Sequence, residues 1–215
     1  MLSIIQAAGW PIWPLLACSV LALAVVIERF MSLRQHLVAP PKLADEAILV
    51  SRYAVPSADI VLQLEQNSLL GRVLASGLRA LNKNPRLSED DLRSALEGTG
   101  REAAHELERY MAALATIASA APLLGLLGTV IGMIEIFGSQ GTGMTGADNP
   151  AQLAQGISIA LYNTAFGLIV AIPSLIFWRY FRGRVDAYVL QMELAAERFA
   201  RHLNTLRKPG PSSTP

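Results

Sequence analysis

The sequence predicts an all-α integral membrane protein with three membrane-spanning helices, two of them continuing far into the cytoplasm. Three observations predict it. The 215-residue chain has a mean hydropathy of +0.37, with 52% hydrophobic and 16% charged residues. That is too apolar for an ordinary soluble domain and too interrupted by charge for a bundle wholly embedded in lipid. Three apolar runs are each long enough to cross a hydrocarbon core of about 30 Å. Between and after them, apolar residues recur at helical spacing.

After a short outer N-terminus (residues 1–9), the first span occupies 10–33. Its apolar run, Trp10 to Ile27, has no charged side chain before it and is followed by Glu28, Arg29 and Arg34. A secretory signal has the reverse order, with positive charge first and a small-residue cleavage site last, so this run reads as a retained helix. Residues 34–110 form a cytoplasmic helical segment. Past Pro40 and Pro41, Ile60 and Leu64, then Leu70, Leu74, Leu78 and Leu81, mark amphipathic helices that end at an Asn82–Pro85 turn. Ser88 followed by Asp91 resembles a capping box, with Glu89 and Asp90 suiting a helix N-terminus. No stop signal follows until Gly138, which predicts one helix running from the cytoplasm through the membrane, roughly 75 Å long at 1.5 Å per residue.

The second span covers 111–137 and an outer loop covers 138–150. The third span, 151–178, lies in a stretch from Asn149 to Trp178 that carries no formal charge. Gly156, Ser158, Tyr162, Asn163, Thr164, Gly167 and Pro173 interrupt it. Small and hydrogen-bonding side chains at membrane depth call for a protein partner or a wet path. A cytoplasmic helix over 179–208 follows, with Val185, Val189, Met192 and Phe199 on one stripe, and 209–215 reads as a disordered tail rich in Pro and Ser. Basic residues follow the first span and follow Trp178, whereas Gly138 to Ala154 has none. The N-terminus is therefore predicted outside and the C-terminus inside.

Composition also narrows function. A net charge of +1 with acids and bases nearly balanced gives no nucleic-acid footprint, and a lone Cys18 supplies neither a disulfide framework nor a thiolate metal site. His36, His105 and His202 are scattered near charged flanks, and His105-Glu106 lacks the second histidine of a zinc-protease helix. With no phosphate loop, nucleophile elbow or paired catalytic carboxylates, the reading is of a protein that is not an enzyme and needs no metal or cofactor.

The polar content of the spans is where chemistry is expected. Ala121, Gly125, Gly128, Gly132 and Glu135 alternate in steps of four and three along one face of the second span, with Thr129 beside Gly125 and Gly132. Gly156, Ala160, Thr164, Gly167 and Ala171 repeat the device in the third. Such faces allow close helix packing, because lipid offers no hydrophobic drive for helices to associate. Thr129 and Thr164 put hydroxyls at mid-span. Each either bonds back to a carbonyl one turn earlier or lines a narrow polar path. Pro122 and Pro173 are expected helix kinks. Glu135, Asn163 and Ser158 are candidate pathway or partner contacts, with Asn163 open to bonding either across helices or to a bound partner. Glu135 is near the outer end of its span, where a wet interfacial position suits it.

Residues Ala121 to Ile134, APLLGLLGTVIGMI, and Gly156 to Pro173, GISIALYNTAFGLIVAIP, resemble the paired signature of the MotA/TolQ/ExbB proton-channel family, with ExbB and TolQ its nearest members. Essentially the whole chain before the tail fits that pattern, whereas MotA typically has four spans and a cytoplasmic N-terminus. The resemblance implies a five-subunit ring of this chain in a bacterial inner membrane, around the spans of two copies of an ExbD-like or TolR-like partner. Proton flow would then drive motion delivered to a TonB-like or TolA-like protein and on to the outer membrane. It also implies that Thr129 and Thr164 are the pore threonines, facing a proton-carrying aspartate of the partner. One departure stands out: Ile159 occupies the position where many relatives have glutamate. Either the partner's aspartate alone then carries the proton, or Glu135 substitutes at a different depth; the first is favoured, because Glu135 lies about 9 Å along the axis from Thr129 and would not occupy the same station. The implied function is a proton-channel subunit of an ExbB-ExbD-TonB-type motor serving nutrient import. A TolQ-like subunit of the Tol-Pal system, or a membrane scaffold that holds partner helices and conducts nothing, are the competing readings.

Overall fold

The computed structural model describes residues 10–53, 55–140 and 150–206, without the side chains of 139, 140, 150–153, 155 and 159. The expected outer N-terminus, most of the outer loop, the tail and the side chain at position 159 lie outside that description. Among the described residues there is no strand, and eight helices follow one another: α1 (Ile12–Ser32), α2 (Gln35–Val38), α3 (Leu43–Val50), α4 (Ala58–Asn67), α5 (Leu69–Lys83), α6 (Glu89–Glu108), α7 (Met111–Gln140) and α8 (Pro150–Leu206). Three of the helical stretches are long and apolar enough to cross a membrane. The chain is therefore a multi-pass membrane protein.

The chain divides into two compact units. The membrane unit comprises Met1–Glu28 and Tyr110–Tyr180, and the extramembrane unit comprises Arg29–Arg109 and Phe181–Pro215. In the membrane unit, Leu15 of α1, Ala121 of α7 and Ala171 of α8 form a buried cluster, with Leu124, Phe166 and Val170 packed against it. Val20, Leu23, Leu161, Ile169 and Ile176 are exposed on the same helices, as the lipid-facing side of a span should be.

In the extramembrane unit, α5 packs on α4 and α6. Leu70, Leu74, Leu78 and Leu81 of α5 are buried, as are Leu92, Leu96 and Leu107 of α6 and Val185, Met192 and Phe199 of α8. The α5 and α8 positions carry apolar stripes read from the sequence, with Val189 of the α8 stripe half-buried. The α4 stripe differs: Val61 is buried while Ile60 is exposed, so its buried face is turned by one residue. Buried Arg29 donates from Nη1 to the Leu107 carbonyl at 2.9 Å, satisfying a C-terminal carbonyl of α6 that has no helical donor. The Tyr188 hydroxyl donates to the Leu33 carbonyl at 3.1 Å, and Arg198 pairs with Asp45 at 2.9 Å.

The expected uninterrupted helix from Ser88 to Gly138 is instead two. α6 ends at Glu108, Arg109 turns extended with ψ 137°, and Tyr110 sits at φ 61° before α7 begins. A single left-handed residue breaks the ladder, a conformation that glycine or asparagine usually supplies. At the other end α7 runs on past Gly138 to Gln140. At the start of α6, Ser88 Oγ accepts from the Asp91 amide at 3.0 Å and donates to Asp91 Oδ2 at 2.6 Å. The serine half of the capping box is present, and the carboxylate engages the serine hydroxyl.

Candidate functional site

The seam between α7 and α8 in the membrane unit is built by small residues meeting in antiparallel register. A Cβ placed on Gly167 would lie 2.6 Å from the Ala121 carbonyl oxygen and 3.1 Å from Gly125 Cα. One placed on Gly125 would lie 2.8 Å from the Asn163 carbonyl oxygen and 3.0 Å from Thr164 Cα. Both approaches are to backbone, which cannot swing aside, so the two helices are in main-chain contact here. Further along, Gly132 faces Ala160 and Gly156 faces Ile136. Ala160, like Ala121 and Ala171, is buried.

Asn163 is 2% exposed and lies over Gly128, where an added Cβ would come within 2.8 Å of both its Cβ and its Nδ2. The missing side chain of Gly128 is the space that Asn163 occupies. Asn163 packs against Gly128 across the helix pair.

The two threonines are held differently. Thr129 Oγ1 donates to the Leu126 carbonyl of its own helix at 2.7 Å, a normal hydroxyl bond length. Thr164 Oγ1 donates across the seam to the Gly125 carbonyl at 3.4 Å, longer than such bonds usually are. Each alcohol thus directs its proton to a carbonyl and keeps its oxygen lone pairs as acceptors. Among the described residues no hydrogen bond joins Thr129 to Thr164. Thr129 instead lines a shallow groove with Val130, Met133, Ile134, Phe137 and Gly138, on a flank of α7 next to the glycine face. Its hydroxyl is the polar group of an otherwise apolar surface.

Glu135 and Ser158 are exposed. Pro122 and Pro173 remove ladder donors without ending α7 or α8. Beside Pro173, Ser174 Oγ donates to the Val170 carbonyl at 2.7 Å. Among the described residues, no three His, Cys, Asp or Glu side chains gather where they could hold a metal ion. Sequence reading did not anticipate Gly125 as the acceptor for Thr164, nor Ile136 against Gly156. The first could be suspected from matching small-residue ladders, whereas an isoleucine at helical spacing carries no comparable signal.

Residues 65–194, which include every one of these positions, match the MotA/TolQ/ExbB proton channel family. The chain is 34% identical over 194 residues to the ExbB-like 3 protein of Synechocystis sp., covering 89% of this chain and 88% of that relative. It is 31% identical over 172 residues to the biopolymer transport protein exbB1 of Vibrio cholerae, covering 79% and 74% of the two chains. Over 88 residues it is 41% identical to the biopolymer transport protein ExbB of Aquifex aeolicus, with coverage of 41% and 58%.

Proposed function

The chain belongs to the MotA/TolQ/ExbB proton channel family, and from that premise we propose that it is the channel-forming subunit of an ExbB-ExbD-TonB-type motor. In this reading copies of the chain form a ring in a bacterial inner membrane, with the N-terminus outside and the extramembrane unit in the cytoplasm. An ExbD-like single-span partner supplies an aspartate that picks up and releases protons inside the ring. Proton flow becomes force on a TonB-like protein. One charge crossing 100 mV releases about 2.3 kcal/mol, so a few protons suffice to drive a step between two packed arrangements.

The observation that carries this reading is the long Thr164 bond at the glycine seam. A neutral aspartic acid needs an acceptor for its proton, and an aspartate needs donors. Thr129, firmly bonded at 2.7 Å, offers its lone pairs and so favours the protonated carrier. Thr164, weakly bonded at 3.4 Å, can accept from the acid or re-aim its proton at the carboxylate. An alcohol able to serve both charge states lowers the barrier to exchange without titrating itself. The groove beside Thr129 supports the same reading, because an apolar surface with one hydroxyl suits an apolar partner helix with one carboxyl.

The test is proton flux into vesicles holding the chain and its single-span partner under an imposed potential. Thr164→Val keeps the side-chain shape and removes the hydroxyl. It is expected to abolish flux while the subunits still co-purify, with Thr164→Ser retaining much of it. Wild-type flux through Thr164→Val would remove this residue from the mechanism. Absence of flux with the unaltered chain would favour a non-conducting scaffold.

A further inference from the structure

Within the extramembrane unit, the residues at the end of α3 are fixed in place yet leave apolar side chains at the surface. Ser51 is fully buried, and its Oγ donates to the Ala47 carbonyl at 2.6 Å. His202 Nε2 of α8 lies 3.1 Å from that Oγ and 3.3 Å from the Ser51 carbonyl oxygen, and one turn earlier Arg198 pairs with Asp45 of α3 at 2.9 Å. Around this anchor Leu49 is 64% exposed, Val50 54% and Tyr53 87%, with the Arg52 guanidinium over the Tyr53 ring. An apolar tip clamped in this way loses little further freedom when it binds.

The same unit carries a matching depression, a groove of about 460 Å³ between α6 and α8. Val73, Leu96 and Met192 are its buried floor, and Gly100, Ala196 and Ala200 keep it wide. A Cβ added to Gly100 would meet nothing within 4 Å. Among the described residues nothing occupies that space, although glycine inside a helix costs about 1 kcal/mol relative to alanine. Glu193 and Glu197 stand on the α8 rim, and Glu197 pairs with Arg201. Among the described residues Glu193 has no basic partner and Arg52 has no acidic one.

Tip and groove lie on opposite sides of α8. Arg198 and His202, which hold the tip, are two residues past Ala196 and Ala200 of the groove, about 200° around a helix of 3.6 residues per turn. One chain therefore cannot fill its own groove, and a two-fold pair cannot fill both, because that needs the two surfaces on one side. A head-to-tail order fills every groove, and it closes into a ring when the rotation between copies allows. We propose that the Leu49–Tyr53 tip of one copy docks in the α6–α8 groove of the next, with Tyr53 on the apolar floor and Arg52 facing Glu193. This contact specifies a surface for the ring proposed above and rests on that ring, but not on the proton pathway.

The full-length protein is prepared in its membrane without its native cysteine (Cys18→Ser), with Val50→Cys and Gly100→Cys on the same chain, and is treated with a short bis-maleimide. The expected result is a ladder of linked species longer than two chains. Each cysteine variant alone should give no linked dimer, and the two co-expressed on separate chains should give dimers and nothing longer. Adding Tyr53→Glu to the paired variant, which would put a carboxylate on the apolar floor, should lower linking about tenfold. Lys83→Cys, exposed at the end of α5, should give no ladder in place of Gly100→Cys. Dimers from one single variant would indicate a two-fold pair and overturn the head-to-tail order, and Gly100→Cys linked to a different polypeptide would overturn the second copy as occupant. Light scattering in detergent separates this contact from the ring it serves. A particle larger than one chain without a ladder overturns the docking alone, whereas a single chain overturns the ring as well.

Discussion

Gly167→Ala tests the contact on which the membrane unit is built. The added methyl carbon would sit 2.6 Å from the Ala121 carbonyl oxygen, whereas ordinary contact begins at 3.4 Å, so the seam must open by about 0.8 Å. Overpacking of this kind typically costs about 1–3 kcal/mol. Alanine also favours a helix over glycine by about 1 kcal/mol, which works in the opposite direction. Gly183→Ala supplies the control, because Gly183 is in the same helix and an added Cβ there meets nothing within 4 Å. Comparing the two variants cancels the propensity and leaves the packing cost. Thermal unfolding of the purified protein in detergent is the assay, with about 2–4 °C expected for each kcal/mol in a chain of this size. The control should melt at or above the wild-type temperature and Gly167→Ala clearly below the control. If both variants melt together, the helices are not held by main-chain contact at this point.

Two further variants test the extramembrane unit. Ser88→Ala removes the oxygen that accepts from the Asp91 amide and should cost about 1 kcal/mol by the same melts. An unchanged melt would mean that water caps α6 equally well. Arg29→Met keeps length and apolar bulk but removes the donor to the Leu107 carbonyl, and should cost about 2 kcal/mol. A variant as stable as wild type would show that carbonyl to be satisfied by other means.

The spans and the amphipathic stripes were legible in the sequence because burial imposes a period that apolar residues must follow. Leu70, Leu74, Leu78 and Leu81 lie where that period puts them. Ile60 does not, because two adjacent β-branched residues fit a helical stripe almost equally well and the fold buries Val61. The break at Arg109 and Tyr110 was invisible for a different reason. Neither residue signals a stop, and a tyrosine reaches φ 61° only where surrounding structure outweighs the steric cost. In the site, the alternating small residues announced close packing. Which carbonyl receives the Thr164 proton depends on the register of two helices, and no local pattern encodes a register.

That register links packing to chemistry. The Thr164 bond is already 3.4 Å long, and the residue it reaches, Gly125, is also the one whose Cα would meet a methyl on Gly167. Opening the seam by about 0.8 Å would carry that bond beyond hydrogen-bonding distance. Gly167→Ala should therefore lose proton flux as Thr164→Val does, but through the opposite order of events. Thr164→Val removes the hydroxyl with little change in melting temperature, since one long bond contributes little. Gly167→Ala keeps the hydroxyl, melts lower, and misplaces it. Normal flux through a destabilised Gly167→Ala would separate the two effects. It would show that the alcohol works from a position that the glycine seam does not set.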